Sequence, residues 1–305
     1  MFFMSKLTYD RGKSLEAAIV KNYRIVQISD THLTPQNAQP ANNQQIDPML
    51  KLMQVFHDIE ATQVHPDMIV ISGDLIHEGK AVDYRQFKTL VDREQAQFGV
   101  PIQVLLGNHD RTSAFYTGYL DKPIQPRYYY SLSDNGWDFY FLDTKCGDLE
   151  PGYLDEQQLR WLKEKLGESN RPAVIFMHHP LLGAPLENMK YSILQNGDQL
   201  QSILKGSQVK AIFTGHVHFA NMFIKNGILN VSADSTAYHI NCSNPDRHLI
   251  SEGTGYNVIT LSGQQMSVEQ RPLLLGNTTI KAFNIPSTDF VDPQIVAQEM
   301  KRVFR

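Results

Sequence analysis

Residues 24–32 read RIVQISDTH, and four later stretches repeat the arrangement: 68–74 MIVISGD, 102–110 IQVLLGNHD, 173–180 AVIFMHHP and 209–218 VKAIFTGHVH. Each is a short apolar run of strand length that leads, directly or through one glycine, to Asp, Asn or His. Runs of this length, rich in Ile, Val and Phe and closed by glycine or polar residues, read as buried strands. Helical spacing fills the intervals at 47–61, 83–98, 155–166 and 198–204, with Leu50, Met53 and Ile59 among the apolar positions of the first and Asp155 as a cap for the third. Strands alternating with helices predict βαβ units and a largely parallel sheet. The pattern then changes. Residues 127–132 and 137–142 flank SDNG, and 222–224 and 228–231 flank KNG, both hairpin signals. Further strands are expected at 256–261 and 265–271, and a terminal helix at 291–304. One α/β domain is expected over 23–275, with an N-terminal extension at 1–22 and a C-terminal tail at 276–305 that carries the helix.

The five strand ends carry the chemistry. Asp30 and His32 are two apart, so in an extended segment both side chains point the same way and can share one ion. Asp74 offers a carboxylate able to bridge two ions. Asn108 offers a neutral carbonyl oxygen, and His178, His216 and His218 offer imidazole nitrogens. Gly73, Gly107 and Gly215 precede proposed ligands, where glycine permits unusual backbone angles and close approach. Nitrogen and oxygen ligands without thiolate suit five- or six-coordinate Mn, Fe or Zn better than a structural zinc site. Singly these signals are weak: Asp-x-His arises about once by chance at this composition, and Gly-Asp after a strand is usually a turn. Their strength lies in the set, since every member sits at the strand edge where α/β sheets build their sites.

Composition excludes other classes. Lys plus Arg number 28 against 32 Asp plus Glu, a net charge of −4, which leaves no electrostatic footprint for a long nucleic acid. Apolar residues make up 42%, an ordinary globular share, but no stretch of about 18 of them runs unbroken to span a membrane. The start of the chain lacks a signal-peptide core. The two cysteines, Cys146 and Cys242, form no framework, so a reducing, cytoplasmic setting is expected.

From about residue 24 to beyond 218, the order of these motifs resembles the calcineurin-like metallophosphoesterases. The resemblance implies a four-layer αββα sandwich, two mixed β-sheets face to face with helices outside. It implies two divalent ions, Mn or Fe first and Zn or Co next. Asp30, His32, Asp74 and His218 would hold one, and Asp74, Asn108, His178 and His216 the other. His179 is the lesser candidate of its pair, because the family's ligand lies nearest the strand end. His109 would be the catalytic histidine, with His32, Asn108, His109 and His218 also contacting substrate. Two ions about 4 Å apart would make a bridging hydroxide that attacks phosphorus in line with the leaving alkoxide, and His109 would stabilise or protonate that alkoxide. Asp110 is placed in sequence to orient a histidine or, equally, to cap a helix at Thr112.

Departures narrow the branch. Protein Ser/Thr phosphatases carry GDxVDRG and GNHE, where this chain has GDLIHEG at 73–79 and GNHD. Purple acid phosphatases carry a metal-binding Tyr where His77 stands. Lipid A pathway hydrolases carry GNRD, and 5′-nucleotidases add a large domain that this chain cannot hold. A repair-type nuclease would show more basic surface. The segments ISDTHL, SGDLIHEG, LLGNHD, FLDT, QLRWL, FMHHPL and GHVH resemble bacterial class III cyclic nucleotide phosphodiesterases and the related glycerophosphodiesterases. Residues 172–185 and 194–200 are most similar to the second branch. The expected activity is hydrolysis of a small phosphodiester, first of a 3′,5′-cyclic nucleotide such as cAMP. Glycerophosphodiester or broad phosphoester hydrolysis is the alternative, a phosphomonoesterase the rival within the enzyme class, and a metal-binding sensor or scaffold the non-enzyme reading. No nucleic-acid or membrane partner is expected, and a homo-oligomer is allowed.

Other residues have two readings. His77 and Glu78 line the cleft or sit in an exposed loop. Asn196 enters a helix or contacts substrate. Tyr128–Tyr130 stack on a base or pack on a strand. His239 and His248 lie in a polar stretch, 237–255, that forms a lid or a subunit contact.

Overall fold

A computed structural model describes residues 22–244, 246–273, 279–284 and 289–303. The expected 1–22 extension lies outside the described residues up to 21. The apolar runs become strands that bury both faces. In β1 (Tyr23–Ile28), Tyr23 and Ile25 enter one core, and Val26 and Ile28 enter another. Next come α1 (Pro48–Ala61), β2 (Met68–Ser72), α2 (Ala81–Phe98) and β3 (Ile102–Leu105). Asp47 caps α1, accepting from Met49 N at 2.8 Å. Helix α2 starts two residues ahead of the expected 83, because Asp83 works inside its first turn: its carboxylate accepts from Lys80 N at 2.7 Å.

A short helix, α3 (Thr112–Phe115), runs into a π-helical turn, Tyr116–Leu120. The second half contains β4 (Tyr130–Asp134), β5 (Trp137–Phe141), α4 (Glu156–Gly167), β6 (Ala173–Phe176), α5 (Gly197–Leu204), β7 (Val209–Thr214), β8 (Asn221–Lys225) and β9 (Ile228–Ser232). Asn135-Gly136 and Asn226-Gly227 all have positive φ, as the two predicted hairpin turns require. Asp155 caps α4 through Gln158 N at 2.9 Å. The chain continues through β10 (His239–Asn244), β11 (Arg247–Ser251), β12 (Thr254–Ser262), β13 (Gln265–Leu273), β14 (Thr279–Asn284) and α6 (Pro293–Val303).

One sheet has the order β13-β12-β1-β2-β3 and the other β4-β5-β6-β7-β9-β8. Both are mixed: β1, β2 and β3 run parallel with β12 and β13 antiparallel, and β5, β6, β7 and β9 run parallel with β4 and β8 antiparallel. Tyr23, Ile25, Met68 and Val70 of the first sheet share a buried cluster with Trp137, Phe139, Phe176 and Phe213 of the second. On the far face of the first sheet, Val26 and Ile69 pack with Leu52 of α1 and Phe87 of α2. On the far face of the second, Ile175 and Ile212 pack with Leu162 of α4 and Leu200 of α5. The four layers αββα follow from this alternation. Near the site end of the inter-sheet core, the apolar filling gives way to Gln27. Its amide donates to Ser72 Oγ at 3.1 Å and, across the sheets, to Thr214 O at 3.0 Å.

The tail expected at 276–305 holds more than its helix. Strand β14 pairs with β11 in a third sheet, β10-β11-β14, which the polar alternation of 237–255 concealed. Helix α6 packs Val296 and Met300 against Cys146. Among the described residues, no helix is long and apolar enough to cross a membrane.

Phe176→Ala should lower stability by about 3–5 kcal/mol, because the aromatic stack between the sheets cannot close the cavity. Ile224→Ser on β8, where the side chain is exposed, should change it by about 0.5 kcal/mol or less. Urea unfolding of both variants checks the contrast; equal losses would contradict the packing described.

Candidate metal centre

Parallel pairing continues past the ends of β1 and β2. Asp30 N donates to Gly73 O at 3.1 Å, His32 N to Asp74 O at 2.8 Å, and His77 N to Leu33 O at 3.1 Å. The backbone there adopts positive φ at Asp30 (52°), His32 (38°) and Asp74 (49°), and beyond β7 at His216 (71°) and His218 (55°). That conformation is costly for non-glycine residues, and strain of this kind concentrates at functional sites. The turns aim the side chains into the space where the strand ends of both sheets meet.

Asp30, His32, Asp74 and His218 present ligand atoms all within 4.8 Å of one another, and Asp74, His178 and His216 form a second such group. Asp74 belongs to both. Asn108 Oδ1 lies 3.2 Å from His178 Nε2, which adds a carbonyl oxygen to the second group. The structure therefore brings together every residue of the two expected ligand sets. His109 stands beside them, half-buried, with its N–H donating to Asp74 Oδ1 at 2.8 Å.

Burial alone would push the Asp30 and Asp74 carboxyls up, but the facing histidines win. His218 and His178 hold Asp30 below the usual carboxylate range, and His178, His109 and His32 hold Asp74 well below it. Conversely, Asp74 and Asp30 outweigh burial and push the His178 imidazole up to about 10. Burial takes His32 well down and lowers His216 to about 4. The two buried carboxylates and the imidazoles that face them thus hold each other's proton equilibria far from their ordinary positions.

Metal ions fit this donor set. His178 Nδ1 meets Ser72 O at 2.9 Å and His218 Nδ1 meets Tyr238 O at 2.8 Å, so each Nε2 is left for the interior. The buried His216 Nε2 has no hydrogen-bond partner. A buried nitrogen of this kind needs a ligand. The Nε2 atoms of His32 and His218 lie only 3.1 Å apart.

Close packing explains two of the glycines. A Cβ on Gly107 would lie 2.2 Å from Asp74 Oδ1, and one on Gly73, at φ 95°, would lie 2.4 Å from His178 Nδ1. The approach that glycine permits is to neighbouring ligand side chains, and of Gly73, Gly107 and Gly215 only Gly73 has positive φ.

The other candidates sort by contact. His179 is buried with Nδ1 at 2.7 Å from Thr144 Oγ1 and Nε2 at 3.0 Å from Glu150 O, so both its nitrogens are used. Asp110 neither orients a histidine nor caps Thr112. Its buried carboxylate accepts from Leu75 N, Gly107 N and Tyr84 OH and locks the two ligand loops together. Asn196 stands at the helix entry, as the N-cap residue of α5, and ties both amide atoms to the Leu154 backbone. Tyr130 stacks on Phe141 at 4.6 Å, and Tyr128 packs on Phe115. His239 pairs with Asp234 and His248 packs on Phe283, both in the third sheet. Glu78 is exposed, pairs with Arg111 and lines the cavity beside Asn108 and His109, and His77 faces the site.

Two residues escaped the sequence reading. Glu150 accepts from Asn108 Nδ2 at 3.3 Å and lies 3.6 Å from His216 Nε2. Tyr238 packs its ring on His218 at 4.2 Å. Neither lies in a strand-end motif, and only the fold delivers them. Beside Asn108 and His109 opens a cavity of about 650 Å³, lined by Arg111, Ile124, Lys145, Glu150 and Arg302 among others.

A sequence model of the calcineurin-like phosphoesterases matches residues 23–220. The chain belongs to this family. The 3′,5′-cyclic adenosine monophosphate phosphodiesterase of Escherichia coli K12 is 30% identical over 234 residues, 75% of this chain and 82% of the relative. A cAMP/cGMP dual specificity phosphodiesterase of Mycobacterium tuberculosis is 29% identical over 220 residues, 71% of this chain and 68% of the relative. Among solved structures, a dimetal phosphatase from Danio rerio superimposes with a TM-score of 0.57 at 15% identity, covering 82% of this chain and 98% of that one, and shares the fold. As a calcineurin-like phosphoesterase, this chain is a metal-dependent hydrolase of phosphoric esters.

Gly107→Ala should cost the protein its bound metal, because the new methyl collides with Asp74. Gly167→Ala, with open space around its Cβ, should keep it. Metal content after dialysis, measured on folded protein, checks both. Full metal content in Gly107→Ala would contradict the geometry.

Proposed function

We propose that the chain hydrolyses small phosphodiesters with two divalent ions held through a shared Asp74. Asp30, His32, Asp74 and His218 hold one ion, and Asp74, Asn108, His178 and His216 hold the other. The observation that carries this reading is the overlap of two buried donor clusters on one carboxylate, with His109 alongside. Manganese and iron suit the mixed imidazole and carboxylate ligands, and zinc or cobalt are accepted by the same set. When bound, the ions supply Lewis acidity towards the phosphoryl group and a nucleophile at neutral pH.

The chain's own groups do the rest. Asp74 is fixed by the His109 amide and cannot swing away. Asn108 presents its carbonyl oxygen inward because Glu150 takes its amide. His109 stands at the rim, where it donates a proton to the departing alkoxide oxygen or stabilises the charge that builds there. His32, Asn108, His109 and His218 surround the phosphoryl group, and the adjoining cavity receives the rest of the substrate.

A 3′,5′-cyclic nucleotide is the first substrate proposed, supported by the relatives' activities and by the class III motifs. The similarity of residues 172–185 and 194–200 to glycerophosphodiesterases supports a second. The catalytic unit, expected over 23–275, also draws on the tail, since β14 pairs with β11 and Arg302 lines the cavity; a cytoplasmic setting fits the two free cysteines.

Protein stripped with chelator should be inactive and recover with Mn²⁺. Asp74→Ala should lose both metal and turnover of an aryl phosphodiester while remaining folded. His109→Ala should keep its metal and lose about 10²–10⁴-fold in kcat. Turnover of cAMP at a kcat/KM of about 10⁴ M⁻¹s⁻¹ or more supports the nucleotide reading. Turnover of glycerophosphodiesters alone supports the second, and an active Asp74→Ala contradicts the metal assignment.

A further inference from the structure

Among the histidines of the centre, His32 has an unusual partner. His178 and His218 turn their Nδ1 atoms to backbone carbonyls, which can only accept. His32 turns its Nδ1 to another imidazole, His77 Nδ1, at 3.1 Å. With His32 Nε2, which faces Asp74 and His218, bound to a metal ion, its ring proton would sit on Nδ1, and His77 Nδ1 would accept it. The backbone fixes this meeting. His32 N is bonded to Asp74 O, and His77 N to Leu33 O, so the two residues face each other across an extension of the parallel ladder. The other side of the His77 ring stacks on His109, with centroids 4.4 Å apart and planes 27° from parallel.

We propose that His77 is a positioning residue with two contacts to the centre: its Nδ1 fixes the ring orientation and tautomer of His32, and its ring face holds His109 in register with the phosphoryl site. This rests on the assignment of His32 as a ligand and His109 as the catalytic group. A partner to the remote nitrogen of a ligating histidine typically changes metal affinity 10–100-fold when removed. The ring contact governs a different quantity, the placement of His109, and is expected in kcat rather than in metal uptake.

Two substitutions separate the contacts. His77→Phe keeps a ring against His109 and removes the acceptor. His77→Asn keeps an acceptor near the position of Nδ1 and removes the ring. Calorimetric titration of metal-free protein with Mn²⁺ should show one site weakened about 10–100-fold in His77→Phe. In His77→Asn, both sites should bind as in the parent, with a lower kcat and little change in KM at saturating Mn²⁺. Parental Mn²⁺ affinity in His77→Phe overturns the acceptor role, and parental kcat in His77→Asn overturns the stacking role. The unsubstituted chain and His32→Ala go through the same titration. An unsubstituted chain that takes up no Mn²⁺ overturns the metal assignment and the role of His77 with it. An unsubstituted chain that takes two, with His32→Ala taking one, confines any failure to His77.

Discussion

Two carboxylates buried within a few ångströms of each other set the terms for the rest of the molecule. Asp30 and Asp74 are sealed from solvent at the ends of β1 and β2. Like charges at that range cannot both stay ionised without compensation. The fold answers with backbone donors and with imidazoles. His216 N donates to both Asp30 oxygens, and His109 N donates to Asp74. His178 and His218 bring imidazole nitrogens within 3.3–3.7 Å of these carboxylates from the opposite sheet. What remains inside is a set of nitrogen and oxygen atoms directed at one another, a donor set that suits divalent cations.

The sandwich makes this arrangement possible because it stacks two parallel-stranded regions with their carboxyl ends on one side. Asp30, Asp74 and Asn108 come from one sheet, and His178, His216 and His218 from the other. The relative position of the sheets therefore sets the distances between these donor atoms. Gln27 serves that alignment by bonding to Ser72 of its own sheet and to Thr214 across the layers. Asp110 serves it within the first sheet by binding the loops after β2 and β3. Lys51 extends the effect outwards: it is buried in α1, pairs with Glu252 and reaches the Ala237 carbonyl, next to the Tyr238 carbonyl that orients His218.

Much of this is legible in the sequence because the informative residues sit beside apolar runs. A strand end fixes where the next side chains go, so strand-end position alone groups Asp30, Asp74, Asn108, His178, His216 and His218. The hairpins at Asn135-Gly136 and Asn226-Gly227 are legible for the same local reason. The third sheet is not, since β10, β11 and β14 are short and polar on one face, and β14 joins β11 from far along the chain. Asp110 is easily misread because a turn carboxylate looks alike whether it points to solvent or to buried amides. Glu150 and Tyr238 carry no motif. His77 stands in view as a departure from a sister pattern, but only its 3.1 Å approach to His32 gives that departure a physical role.

Sharing of Asp74 is the central claim, and electron paramagnetic resonance of protein loaded with two equivalents of Mn²⁺ tests it most directly. Two ions bridged by one carboxylate at about 4 Å should couple magnetically and replace the six-line spectrum of isolated Mn²⁺ with a broad exchange-coupled signal. A pure six-line spectrum at two bound equivalents would mean that the ions occupy separate sites, and the account of Asp74 as the common ligand would be wrong.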